Sequence, residues 1–109
     1  MDNKTFEDFV EYRIKLTKKV LQSKGKEYSP HSDRLHNFRR AALLRNTIPE
    51  DALLGMKVKH TVSIEDMVEK IKHGELPTME LLQEKIGDEI NYWIILEIII
   101  KERILKEMK

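Results

Sequence analysis

Glu84, Asp88 and Asn91 are the side chains best spaced to do chemistry in this chain. They lie in the stretch Glu84-Lys85-Ile86-Gly87-Asp88-Glu89-Ile90-Asn91-Tyr92. At about 100° per residue they fall on one helix face, and Leu81, Ile95 and Ile99 share that sector. The pattern predicts that the face points inward. A carboxylate among apolar neighbours is costly unless it is paired, protonated or bound to a metal. Two readings follow. In one, Glu84 and Asp88 pair with lysine or arginine from a neighbouring helix. In the other, they belong to a functional site. The chain has no cysteine and only four histidines. A metal held there is therefore expected to be a hard ion such as magnesium or manganese.

Other groups join this list. Lys59-His60 stands in the middle of a second helical pattern. His60 falls on its apolar face with Leu53, Ile64, Met67 and Ile71, either as a satisfied core histidine or as a ligand or base. Lys59, Ser63 and Asp66 line the flank, where Lys59 suits a phosphate or acts as counter-ion to the later acids. The segment from Lys26 to Arg34 lacks periodicity and reads as a loop. Lys26, Tyr28, Ser29, His31 and Arg34 give it groups able to hold an anion. Arg39-Arg40 either meets phosphate or cancels Glu84 and Asp88.

The elements that must position these groups read as helices. A first helix is expected from Thr5, with Asp8 as a capping-box-like partner, to Lys24-Gly25. A short second helix, capped by Ser32, turns Leu35, Phe38, Ala41 and Ala42 inward. A third starts at Thr47-Ile48-Pro49-Glu50, threonine capping and Glu50 completing the box, and runs to about Lys72. After the break His73-Gly74-Glu75-Leu76-Pro77, a fourth starts at Thr78 and reaches Met108. The expectation is a single all-α domain over residues 1–109, a four-helix bundle-like fold with a long C-terminal helix. That last helix carries a second apolar stripe through Leu82, Ile86, Ile90, Trp93 and Ile100. A helix apolar on two sides is buried on two sides. The expected cause is a homodimer or tetramer built on residues 78–108; the alternative is a central helix within one monomer.

Charged residues make up 36% of the chain yet cancel to +1, which argues against a generic nucleic-acid binder. No apolar h-region follows Met1-Asp2-Asn3-Lys4, so no signal peptide is expected. The apolar run at 92–100 contains Glu97 and is too short to span a bilayer. No membrane partner and a soluble, cytoplasmic protein are expected.

Three separated pieces carry a resemblance: Lys26-x-Tyr28 with Asn37-Phe38, Lys59-His60, and Glu84-x-x-x-Asp88-x-x-Asn91-Tyr92. Together they resemble the nucleotide modification associated domain family of small phage and bacterial proteins. That family looks related to the all-α nucleoside triphosphate pyrophosphatases of the MazG and dimeric dUTPase group. The likeness covers roughly residues 24–100. It implies a phage-type, MazG-like protein that binds a nucleotide with a divalent metal and hydrolyses a nucleoside triphosphate to monophosphate and pyrophosphate. Glu84 and Asp88 would hold magnesium and, with Lys59 and His60, form the catalytic set. Lys26, Tyr28, Asn37, Arg39, Asn91 and Tyr92 would contact the nucleotide. One departure stands out: MazG enzymes carry a second acid pair on an earlier helix, where this chain has Lys59-His60. The alternative is therefore a non-catalytic phage accessory protein of the same fold that binds a host protein, such as a counter-defence factor.

Overall fold

The computed structural model describes residues 1–28 and 33–108, with side chains for 1–23 and 33–108. Among them are four helices and no strand: α1 (Asn3–Tyr28), α2 (His36–Leu44), α3 (Pro49–Lys72) and α4 (Met79–Glu107). The all-α expectation holds. The chain forms two compact units, residues 1–34 and 35–109. Among the described residues no helix is long and apolar enough to cross a membrane.

In the first unit α1 begins two residues earlier than its pattern suggested. Asp2 rather than Thr5 closes the N-terminus, its Oδ1 accepting from the Thr5 N–H at 2.8 Å. An aspartate there satisfies an orphan donor and complements the helix dipole. Asp8 instead pairs with Lys4 at 3.2 Å. The helix also passes through Lys24-Gly25 and ends at Tyr28. A single interior glycine costs about 1 kcal/mol relative to alanine, too little to stop a helix flanked by good formers. Lys26 and Tyr28 thus lie in the last turn of α1 and not in a loop. Ser29, His31 and the expected cap Ser32 lie outside the described residues. Arg34 donates to the Leu21 carbonyl at 2.6 Å.

The second unit is built on α3. Leu53 is fully buried, and Ala52 and Met67 of the same helix are buried too. Ala42 of α2 and Ile99 of α4 are the other buried apolar side chains among the described residues. Of the apolar face expected on α3, Leu53 and Met67 are buried and Ile64 is half-buried, but Ile71, in the last turn, is exposed. Two charge pairs tie the C-terminal part of α4 to its neighbours. Arg103 grips Glu50 with two bonds, at 2.5 and 2.8 Å. Arg39 of α2 donates to Glu102 at 2.5 Å. Those bonds hold the Glu50 and Glu102 carboxyls below their ordinary range.

The α3 start departs from the expected box. Ile48 is the N-cap and makes no side-chain cap bond. Thr47 donates to Asp51 at 2.8 Å, and Glu50 is taken by Arg103. A bidentate guanidinium is a stronger partner than one backbone N–H. Thr78 does cap α4, accepting from the Leu81 N–H at 3.1 Å.

Helices α2 and α3 end in the same way. Asn46 (φ 55°) and Gly74 (φ 86°) adopt the left-handed conformation. Thr47 N–H then reaches the Ala42 carbonyl at 2.9 Å, and Glu75 N–H the Lys70 carbonyl at 2.9 Å. Both are Schellman closures. At Gly55 an added Cβ would meet only the end of the Arg45 side chain, at 2.8 Å. Gly55→Ala is therefore expected to raise stability by about 0.5–1 kcal/mol through helix propensity, with Arg45 swinging aside. Gly74→Ala is expected to lower it by about 1 kcal/mol, since Gly74, unlike Gly55, sits at positive φ. Urea unfolding midpoints check both.

Candidate functional site

Helix α4 packs on α3 along a line through Lys85, Glu89, Tyr92, Ile99 and Arg103. Glu84 and Asp88 sit at the edge of that line. Glu84 is exposed, and the Asp88 side chain retains 36% of its accessible surface. The inward turn expected for both acids is therefore corrected by about a quarter-turn. The carboxylate inside the helix junction is Glu89.

Glu89 meets Lys57 at 2.6 Å. Thr61 lies 3.0 and 3.1 Å from the two Glu89 oxygens. Lys57 is buried; it also donates to Thr61 at 2.9 Å, and its ammonium stands 4.3 Å from the Trp93 ring centroid. Desolvation pushes the Glu89 carboxyl up. The bonds from Lys57 and Thr61, with the charges of Lys57 and His60, outweigh it and leave the group below its ordinary value. Sequence reading passed over this pair, because periodicity scores both residues as polar. The available signal was that Lys57 lies close to Leu53 around α3, and Glu89 about one step from Asp88.

On the adjacent edge, Lys59, His60, Glu84 and Asp88 border one depression of about 270 Å³, with Ser63, Leu81 and Lys85. The four residues expected to form a catalytic set are thus brought together. His60 Nδ1 lies 3.6 Å from Asp88 Oδ2. Lys85 bonds the Ser63 hydroxyl. A larger hollow of about 680 Å³ adjoins it toward the α3–α4 turn, sharing Ser63, Leu81 and Lys85.

The remaining candidates are scattered. Tyr92 stacks at a tilt on His60, with ring centroids 5.0 Å apart, and meets Phe38 edge-on at 6.4 Å. Burial, and then the charge of Asp88, push its phenol up. The Asn91 Oδ1 is buried and finds no hydrogen-bond partner among the described residues. Asn37 is exposed on α2. Arg39 borders a separate depression with Glu102, Arg103 and Lys106. The side chains of Lys26 and Tyr28 lie outside those described. Among the described residues no group of three or more histidine, aspartate or glutamate side chains is arranged to hold a metal. Glu84 and Asp88, one turn apart, suit a cation that keeps most of its shell for water and phosphate.

No family model, no curated protein and no solved structure matches the chain.

Lys57→Met alone is expected to cost about 3 kcal/mol, because it strands a largely buried carboxylate. Lys57→Met with Glu89→Leu is expected to recover most of the loss. The pH dependence follows from the lowered Glu89 value. Its contribution is complete above its unfolded value near 4.5 and is lost as pH falls through the lower folded value. The stability gap between wild type and Glu89→Gln is therefore expected to close in acid, as read by denaturant titrations from neutral to acidic pH.

Proposed function

We propose that the depression between α3 and α4 binds the phosphates of a nucleotide with a divalent metal. The observation that carries this reading is the meeting of Lys59, His60, Glu84 and Asp88 around one hollow. Lys59 and Lys85 supply positive charge for phosphate oxygens, and Ser63 a hydroxyl donor. Glu84 and Asp88 would hold magnesium, whose chemistry there is to draw charge from phosphate oxygens and acidify a bound water. His60, beside Asp88 and against Tyr92, is placed to hold or move a proton at Nδ1. The adjoining hollow offers room for the sugar and base, with Leu76, Pro77 and Leu81 as apolar surface. A nucleoside triphosphate is the expected ligand class, with nucleoside monophosphate and pyrophosphate as products if water cleaves the bridge between the α- and β-phosphates.

One observation favours a second reading, in which the nucleotide is bound and not cleaved. Among the described residues two carboxylates border the hollow, and one faces His60. Two-metal activation of both attacking and leaving oxygens needs more acids than these. A phage accessory protein that holds a nucleotide or a host protein fits that set.

Calorimetry with magnesium and a panel of deoxynucleoside triphosphates separates the readings. Wild type is expected to bind a triphosphate only with the metal, and Asp88→Asn to weaken binding at least about tenfold, or roughly 1.4 kcal/mol. Pyrophosphate in the mixture selects the hydrolytic reading; binding without it selects the second. Absence of any metal-dependent binding by folded protein rejects both nucleotide readings.

A further inference from the structure

The face of α4 turned away from Asp88 carries its own periodicity. Ile86, Ile90, Trp93, Glu97, Ile100 and Ile104 follow one another at intervals of 4, 3, 4, 3 and 4 residues. This is the a/d repeat of a coiled-coil seam. The seam is open along its second half: Trp93 is 50% exposed, Ile100 40% and Ile104 54%. On α3, the residues next round the helix from Lys57 and Thr61 are Leu54, Val58 and Val62, 42%, 56% and 45% exposed. Glu97 is the single charged residue in the seam, and Lys101 stands beside it one turn on. Both are exposed, and neither has an ion-pair partner among the described residues.

We propose that a second copy of this chain docks on this face, α4 against α4 in antiparallel orientation about a two-fold axis near Ile99. In such a pair Glu97 faces the partner's Lys101, and Lys101 faces the partner's Glu97. A two-fold interface must be self-complementary, and an acid and a base four residues apart on the seam give that symmetry. Paired about that axis, the two α4 helices overlap over residues 91–107. There the exposed parts of Trp93, Ile100, Ile104 and the adjoining Leu54 come to roughly 350 Å², against about 800 Å² that each partner gives to a standard interface, so the match rests on the charge pair as well as on apolar area. Across the seam Glu97 also sets register and orientation, the role of a lone polar residue among a and d positions. The proposal does not depend on what the α3–α4 depression binds.

Sedimentation equilibrium on the full chain, over roughly 1–100 µM, tests it, with circular dichroism to verify helix content. Wild type is expected at twice 13.0 kDa. Glu97→Lys and Lys101→Glu each set like charges across the seam, and each is expected to weaken association at least about tenfold. An equimolar mixture of the two variants is expected to recover the two-chain mass, because each lysine introduced at 97 then meets a glutamate introduced at 101. Within either helix the like-charge pair remains, so recovery reads pairing between chains alone. A monomeric wild type, a dimer unmoved by either swap, or a mixture no tighter than its parts overturns the proposal. An unmoved dimer would direct attention to the exposed Phe6, Phe9 and Ile14 of α1.

Discussion

The Lys57–Glu89 pair decides how α4 lies on α3. It occupies the middle of the helix junction, with Thr61 filling remaining hydrogen-bond capacity and Trp93 covering the ammonium. Neither charge is well solvated there, so each requires the other. Such a pair gives modest net stability compared with an apolar pair of similar volume. What it fixes is register: sliding α4 by one residue would separate two charges that are largely shielded from water. The more exposed pairs, Arg103–Glu50 and Arg39–Glu102, then hold α4 at its far end.

That register places the candidate site. With Glu89 turned into the junction, Asp88 falls on the neighbouring edge beside His60, and Glu84 one turn earlier. Lys59 and Lys85 come to the same edge from the two helices. The hollow is therefore a by-product of where the buried pair sits: fixing Glu89 fixes the angle at which the two outer acids emerge. Tyr92, packed between His60 and Phe38, connects the hollow to α2.

Much of this was legible in the residues. The Thr78 cap, the break at Gly74, the apolar line through Leu53 and Met67, and the length of α4 follow from local chemistry, which structure rarely overrides over long periodic segments. The convergence of Lys59 and His60 with Glu84 and Asp88 was readable too, as candidates on facing helices. Two features were not. The α1 boundaries were misplaced because glycine inside a helix carries only a small penalty, and because Asp2 competes with Thr5 as a cap. The buried pair was missed because a wheel ranks residues by polarity and cannot know that a lysine on one helix will find a glutamate on another. Glu84 and Asp88 were assigned an inward turn that belongs to Glu89, one residue along the same stretch.

The Schellman closure at Gly74 bears on how readily the molecule is assembled. Helices α3 and α4 are joined by the few residues from His73 to Thr78, and the closure reverses the chain with two backbone bonds and no help from elsewhere. Bringing such helices together costs little loop entropy, and contacts close in sequence form early and fast. Helices α2 and α3 are joined as briefly, through the closure at Asn46, so both hairpins of residues 35–108 are built from contacts close in sequence. The turns that end α2 and α3 thus keep the search for the fold short along the chain.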